Sequence, residues 1–124
     1  VDDQVGNPTA AHDIAAAVLA VADRLAQGAD SEVCGTFHFA GTGAVSWCGF
    51  AREIFRQAAE IAGGPSPEVA AIGSDEWPTK AARPANSRLD CAKLARVHVV
   101  TAPDWRDSLR QVLGELLAAS PGPR

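Results

Sequence analysis

Apolar side chains recur at three- and four-residue spacing in three stretches of the chain, and this spacing predicts amphipathic helices. The first helix is predicted over residues 10–26, with Thr9 as its N-cap, Asp13 in its first turn and Gly28 just beyond its end. Alanines fill the positions between its larger apolar side chains, which are Ile14, Val18, Val21 and Leu25. A core built around such a helix is expected to be closely packed.

The second and last predicted helices have equally clear boundaries. Ser46 caps the second helix, which ends at the sequence Gly63-Gly64-Pro65 and has its apolar side at Phe50, Ile54, Phe55, Ala58 and Ile61. Pro103-Asp104 opens the last helix, with Asp107 in its first turn and an apolar stripe at Leu109, Val112, Leu113, Leu116 and Leu117. Between them, Asp90 is expected to cap a short helix that reaches Leu94.

Two stretches are predicted to be strands. Residues 35–40 alternate and contain β-branched and aromatic side chains, and residues 68–72 form a short apolar run. Residues 73–89 should remain irregular because they contain Pro78 and Pro84. Two strands are too few for a stable open sheet. The pattern therefore predicts an α/β piece, mostly helical with two or three short strands, whose partner sheet lies mostly elsewhere.

The net charge of −4 and the pI near 5.2 argue against a nucleic-acid surface and against an anionic membrane surface. No apolar run approaches the roughly 18 residues that a membrane span needs. The cysteines have no metal-binding or disulfide spacing and are interpreted as reduced thiols of a cytoplasmic protein; they are Cys34, Cys48 and Cys91. The histidines share no metal-ligand spacing either, and a structural role is favoured for His12, His38 and His98.

The best candidate for ligand chemistry is Arg83. Pro84 restricts Arg83 to an extended conformation, and a guanidinium with a fixed direction suits a planar anion such as a diphosphate. The alternative for Arg83 is an ion pair with a nearby carboxylate, namely that of Asp75, Glu76 or Asp90.

Three further candidates each have a structural alternative. Gln4 is a substrate contact or a side chain that satisfies the backbone, and Asn86, with Ser87, is a substrate contact or a turn and cap residue. Trp77 is the better candidate for stacking on a base or sugar. Trp47 and Trp105 are expected to pack in the core.

Several motifs together resemble the C-terminal part of the dTDP-4-dehydrorhamnose reductase family, within the extended short-chain dehydrogenases/reductases. They occur in the family's order: Asp2-Asp3-Gln4-x-Gly6-x-Pro8-Thr9, Gly35-Thr36-Phe37-His38-Phe39-Ala40-Gly41, Ser46-Trp47-x-x-Phe50-Ala51, Arg83-Pro84-x-Asn86-Ser87-x-Leu89-Asp90 and Pro103-Asp104-Trp105-Arg106. The resemblance implies a partial Rossmann-like fold and an NADPH-dependent reduction of dTDP-4-dehydro-L-rhamnose to dTDP-L-rhamnose. It implies a dTDP-sugar as substrate, with Gln4, Trp77, Arg83 and Asn86 as its contacts.

The departures from the family pattern are equally informative. The family's catalytic acid is a tyrosine, and this chain contains no tyrosine. The turn Gly41-Thr42-Gly43 does not match the family's glycine-rich cofactor motif. The resemblance therefore implies that residues 1–119 are a substrate-binding portion, followed by a tail at 120–124, without the dinucleotide-binding half.

Such a piece is expected to hold no cofactor, to be inactive alone, and to self-associate through an exposed apolar face. The alternative is a non-catalytic relative that serves as an interaction or regulatory subunit.

Overall fold

The computed structural model describes residues 1–28 and 31–119, so the predicted tail at 120–124 lies outside the described residues. Two very short strands and four helices follow one another along the chain. They are β1 (Val5–Gly6), α1 (Ala11–Ala26), β2 (Val45–Ser46), α2 (Trp47–Ala62), α3 (Ala92–His98) and α4 (Trp105–Ala119). The predicted fold class, a mostly helical α/β piece with short strands, is confirmed.

Helix α1 lies where the apolar spacing predicts it, with Asp13 in its first turn. The predicted cap is wrong, because Ala10 is the N-cap and no side chain caps the helix. The Thr9 hydroxyl instead donates to the carbonyl of Asn7 at 3.0 Å and accepts from the amide of Gly41 at 3.0 Å. Thr9 thus joins the start of the chain to the turn at Gly41.

The predicted ends of α2 are confirmed. Ser46 is the N-cap, and its hydroxyl accepts from the amide of Gly49 at 3.0 Å. The helix stops at Gly63, whose φ of 72° lies in the left-handed region that glycine adopts without strain. The Ser46 hydroxyl also donates to the carboxylate of Asp2, which ties the N-terminal stretch to α2.

Helix α3 runs further than predicted, to His98 rather than Leu94. Cys91 is its N-cap, although Asp90 still accepts from the amide of Ala92 at 2.8 Å. Helix α4 begins as predicted, because the Asp104 carboxylate accepts from the amide of Arg106 at 2.9 Å. Asp107 lies in its first turn.

Both predicted strands are wrong as paired strands. Residues 35–40 and 68–72 form neither helix nor strand, because no neighbouring strand among the described residues pairs with them. The strands that do form are β1 and β2, which pair antiparallel with Val5 opposite Ser46. Because each of these strands has only two residues, the sequence contains no alternating pattern from which they could be predicted.

The core lies between α2 and α4. Trp105, which is 2% exposed, forms a buried cluster with Leu109 and Leu113. Phe50 meets the Trp105 ring edge-on with centroids 5.6 Å apart, and the other partly buried side chains on this cluster are Val45, Ile54, Ala58 and Leu117. The predicted packing role of Trp105 is therefore confirmed, and the α4 stripe is buried at its centre.

The apolar stripe of α1 is not buried in the same way. Ala17 is the buried residue of this helix, whereas Ile14, Val18 and Leu25 are exposed. This is the exposed apolar surface that the sequence predicts; self-association through it stays a prediction. None of the described helices combines the length and apolarity needed to cross a membrane.

A polar network also connects α2 and α4. The Glu53 carboxylate accepts from Arg56 at 2.6 and 2.8 Å and from the buried Gln57 at 2.8 Å. Gln57 in turn donates to the carbonyl of Arg106 at 3.1 Å, which connects the two helices. The hydrogen bonds from Arg56 are the main cause that lowers the pKa of Glu53 to about 2.

We expect Trp105→Ala to destabilise the chain by about 3–5 kcal/mol, because it empties the centre of the core. Urea denaturation followed by circular dichroism measures this loss. Trp77→Ala is the matched control, since Trp77 is 66% exposed and its truncation should change the free energy of unfolding by less than about 0.5 kcal/mol. Equal losses in both variants would contradict the assigned core.

Acid should weaken the Glu53 network in a defined range. A carboxyl with a lowered folded-state pKa stabilises the fold above its unfolded-state pKa and loses that contribution as the pH falls. The free energy of unfolding should therefore fall as the pH is lowered from 4.5 to about 2. In the Glu53→Gln variant the free energy of unfolding should fall less over that range.

Glu68→Gln is the control for this titration, because no hydrogen bond or ion pair joins the Glu68 side chain to the described residues. Denaturation at a series of pH values makes the comparison. Parallel pH profiles for wild type and Glu53→Gln would refute the role of this carboxylate.

Candidate functional site

An open depression of about 520 Å³ collects three of the four candidate ligand residues. Gln4, Trp77 and Arg83, which are far apart in the sequence, all line it. The remaining lining residues are Val1, Trp47, Ile72 and Thr79. We call this the Arg83 depression. It combines one cation, two indole rings and one amide on a small surface.

Backbone hydrogen bonds of β1 bring the Arg83 segment to the N-terminal stretch. The amide of Val5 donates to the carbonyl of Ala85 at 2.9 Å, and the amide of Ser87 donates to the carbonyl of Val5 at 2.9 Å. These two bonds fix the chain just beyond Pro84. Arg83 is therefore held beside Gln4 although most of residues 73–89 are irregular, as predicted.

Gln4 is fixed by the loop on the other side of the depression. Its Nε2 donates to the Ser74 hydroxyl at 2.7 Å, so the side chain binds another side chain rather than the backbone. Asp3 holds the same serine, accepting from its amide at 2.9 Å and from its hydroxyl at 2.7 Å. The hydrogen bond from the Ser74 amide is the main cause that lowers the pKa of Asp3. This hydrogen bond therefore favours the charged form of the Asp3 carboxylate.

Arg83 makes no ion pair with any described residue. The three carboxylates that were its alternative partners bind backbone amides instead. Asp75 accepts from the amide of Glu76 at 3.1 Å, Glu76 from that of Gly73 at 2.9 Å, and Asp90 from that of Ala92 at 2.8 Å. The ion-pair alternative is therefore wrong for the described part of the chain.

The sequence predicts different roles for the two tryptophans of the depression, and only one of the two exposures agrees with the prediction. Trp77 is 66% exposed, as a stacking residue should be. The expectation that Trp47 packs in the core is wrong, because it is 58% exposed. Trp47 is the first residue of α2. It also lines a second depression of about 250 Å³ with Gly6, Asn7, Phe50 and Ser87 among its neighbours.

Asn86 is the candidate that does not reach the Arg83 depression. Its Oδ1 accepts from the amide of Arg88 at 3.1 Å and from the Arg88 guanidinium at 2.9 Å. This is the turn-forming role that the sequence offers as the alternative. Ser87 is similarly used, since its hydroxyl donates to the carbonyl of Val5 at 3.2 Å.

The turn Gly41-Thr42-Gly43 does not fit a dinucleotide pyrophosphate. The amide of Gly41 donates to Thr9 and that of Thr42 to the carbonyl of Pro103 at 2.9 Å, so neither is available to a phosphate. A Cβ on Gly41 would lie 2.2 Å from the Pro8 carbonyl oxygen. Gly41 therefore allows two backbone segments to approach each other, while Gly43 makes room for the Trp105 side chain.

The histidines and cysteines give no metal centre among residues 1–28 and 31–119. His98 is buried, with Nε2 3.1 Å from the carbonyl oxygen of Val33, which is a structural role. His38 is exposed, whereas its neighbours Phe37 and Phe39 are partly buried. All three cysteines are free thiols.

Known proteins resemble this chain over almost its whole length. Residues 1–118 match the family model described as the RmlD substrate binding domain. A dTDP-4-dehydrorhamnose reductase of Sinorhizobium fredii is 42% identical over 117 residues, which are 94% of this chain and 39% of that protein. The dTDP-4-dehydrorhamnose reductase of Escherichia coli K12 is 32% identical over 122 residues, 97% of this chain and 40% of its own length.

A solved structure shows the same fold. The crystal structure of a dTDP-4-dehydrorhamnose reductase from Clostridium acetobutylicum superposes with a TM-score of 0.80 at 33% identity, over 94% of this chain and 38% of that one. The chain thus spans about two fifths of the length of these relatives. The family resemblance carried by the sequence motifs is confirmed, and the chain belongs to the RmlD substrate binding domain family.

Proposed function

We propose that this chain is the substrate-binding portion of a dTDP-4-dehydrorhamnose reductase and that the Arg83 depression holds the dTDP-sugar. The observation that carries the proposal is the guanidinium of Arg83, which has no carboxylate partner among the described residues and lines the same depression as Gln4 and Trp77. An exposed arginine without a counter-ion, beside an exposed indole, suits a ligand that joins a diphosphate to a flat ring.

Each side chain has a separate role in this proposal. Arg83 binds the diphosphate through paired N–H donors, which fix its orientation as well as its charge. Trp77 stacks on the thymine base or packs against the sugar. Gln4 has its Nε2 bound to Ser74, so its Oε1 is the atom that accepts from a ligand hydroxyl. Trp47, the first residue of α2, contributes to the wall of the same depression.

The reaction that we propose for the longer protein is the NADPH-dependent reduction of dTDP-4-dehydro-L-rhamnose to dTDP-L-rhamnose. The Gly41–Gly43 turn does not fit the cofactor, and the chain has no tyrosine to act as the acid, so no step of hydride or proton transfer is assigned to these residues. Their contribution is to bind and orient the substrate. With this function we propose a cytoplasmic location for the protein, as the interpretation of its cysteines as reduced thiols also favours.

The first test is a titration of this chain with dTDP, followed through the ¹⁵N-labelled indole resonances. The Trp77 resonance should shift, whereas that of the buried Trp105 should not. Arg83→Ala should weaken binding by about 1.5–3 kcal/mol, or about 10- to 150-fold, which is the scale of a hydrogen-bonded charge. Arg96→Ala is the matched control, because Arg96 lies on α3 and does not line the Arg83 depression.

Thymidine provides the control on the ligand side. It carries the same base without the diphosphate, so it should bind more weakly than dTDP, and Arg83→Ala should leave its affinity within about twofold. Equal affinities of the Arg83→Ala and Arg96→Ala variants for dTDP would refute the proposed diphosphate contact. A Trp77 resonance unchanged at saturating dTDP would refute the depression as the substrate site.

A further inference from the structure

Asp3 and Ser74 lie just outside the Arg83 depression. Neither of them lines it, whereas Gln4, the neighbour of Asp3, does. Asp3 is exposed, and both Ser74 and Gln4 are half-buried. The backbone joins the two segments as well, because the amide of Asp2 donates to the carbonyl of Ile72 at 2.9 Å. Any effect of Asp3 on a bound ligand must therefore pass through another residue.

Three side chains here form a series of hydrogen bonds that we call the Asp3–Ser74–Gln4 relay. The Ser74 hydroxyl donates to Asp3 Oδ1 at 2.7 Å, and Gln4 Nε2 donates to Ser74 Oγ at 2.7 Å. A carboxylate only accepts hydrogen bonds, so the single hydroxyl proton of Ser74 points to Asp3. The Ser74 oxygen is then an acceptor for Gln4, and Gln4 must present its NH₂ group to it.

The charged form of Asp3 gives the relay its direction. A protonated carboxyl could donate to Ser74, and the Ser74 hydroxyl would then be free to donate to Gln4. The hydrogen bond from the Ser74 amide, followed by the hydrogen bond from the Ser74 hydroxyl, lowers the pKa of Asp3. Near neutral pH the carboxylate is therefore the acceptor, and the order of donors and acceptors along the relay is fixed.

The other end of the Gln4 amide is available to a ligand. Gln4 Oε1 forms no hydrogen bond with any described residue. An amide that could turn over would offer either N–H groups or an oxygen at this point. Because the relay holds Nε2 at Ser74, Gln4 offers an oxygen alone.

We propose that Asp3 is a positioning residue, which acts through Ser74 to fix the Gln4 amide so that its Oε1 faces the ligand and selects a hydroxyl or N–H donor. This inference rests on the proposed function, which supplies the ligand. A dTDP-sugar carries sugar hydroxyls and one imide N–H. Its diphosphate has acceptor oxygens, which Oε1 would repel, so the same fixed amide keeps the diphosphate on the side of Arg83.

A double-mutant cycle with dTDP-L-rhamnose tests whether Asp3 acts through Gln4. In Asp3→Asn the new NH₂ group faces Ser74 Oγ, so the hydroxyl proton is released and the Gln4 amide can turn over. We expect Asp3→Asn to raise the Kd about fivefold in the wild-type background, the scale of one neutral hydrogen bond, and less than twofold in Gln4→Ala. The Trp77 indole resonance reports the Kd.

Two results of this cycle would overturn the proposal. Equal weakening in both backgrounds would show that Asp3 acts on the loop as a whole and not on Gln4. An unchanged Kd of Asp3→Asn in the wild-type background would show that Asp3 has no effect on the ligand.

Asp75→Asn is the matched control for the lost charge. Asp75 is the neighbour of Ser74, and its carboxylate accepts from the amide of Glu76 at 3.1 Å. We expect Asp75→Asn to leave the Kd within twofold of the wild type. A loss of affinity equal to that of Asp3→Asn would attribute the effect to charge and would overturn the proposal. Ser74→Thr keeps the hydroxyl and should bind like the wild type.

Relaxation of the Gln4 side-chain ¹⁵N nucleus tests the relay without a ligand. The order parameter of this amide should be above about 0.8 in the wild type and below about 0.6 in Ser74→Ala, which removes the acceptor of Nε2. Equal order parameters would overturn the proposal.

The two measurements together distinguish this inference from the proposed function. A wild-type chain that does not bind dTDP-L-rhamnose, but whose Gln4 amide is ordered and becomes mobile in Ser74→Ala, refutes the function and supports the relay. A wild-type chain that binds dTDP-L-rhamnose with an unchanged Kd in Asp3→Asn refutes the positioning role and leaves the function intact.

Discussion

The burial of Trp105 is the interaction on which the rest of this structure depends. Its ring is the centre of the α2–α4 core, packed against Phe50. Its backbone amide donates to the carbonyl of Thr42 at 3.1 Å, and its ring lies against Gly43. One residue therefore fixes α4, α2 and the turn at 41–43. Since apolar burial is non-directional, these backbone bonds are what give the packing a defined register.

A series of hydrogen bonds links this core to the segments that form the Arg83 depression. The turn at 41–43 holds Thr9, and the start of α2 holds Val1, because the amide of Cys48 donates to its carbonyl at 2.9 Å. β1 then fixes the chain just beyond Pro84. The depression is thus formed by segments with little regular structure, and its geometry depends on a few hydrogen bonds that join distant parts of the chain.

Sequence periodicity predicts the helices well, because the apolar stripes of α2 and α4 pack on each other within the chain. Sequence patterns fail for a segment that has no pairing strand among the described residues, and for a side chain that a nearby backbone group engages instead. Residues 35–40 have the composition of a strand, but no strand in the described part of the chain pairs with them, and β1 and β2 are too short to show a pattern. Thr9 has the right chemistry for a cap, but the close approach of Gly41 to Pro8 gives its hydroxyl another partner.

The candidate site was predictable only in part. The Pro84 constraint and the family motifs both point to Arg83. No sequence pattern reveals that the three nearby carboxylates accept hydrogen bonds from backbone amides and form no ion pair with Arg83. Asn86 belongs to the same motif but serves its own turn. Trp47 is predicted to pack in the core from its place at the start of a helix, but more than half of its side chain is exposed there.

The central claim is that Arg83 binds a diphosphate. The most direct measurement is ³¹P NMR of dTDP in the presence of this chain, in which the α- and β-phosphorus resonances are observed themselves. If Arg83 binds the diphosphate, both resonances should shift on addition of the wild-type chain and neither should shift with Arg83→Ala. Identical ³¹P shifts with the wild type and with Arg83→Ala would contradict it.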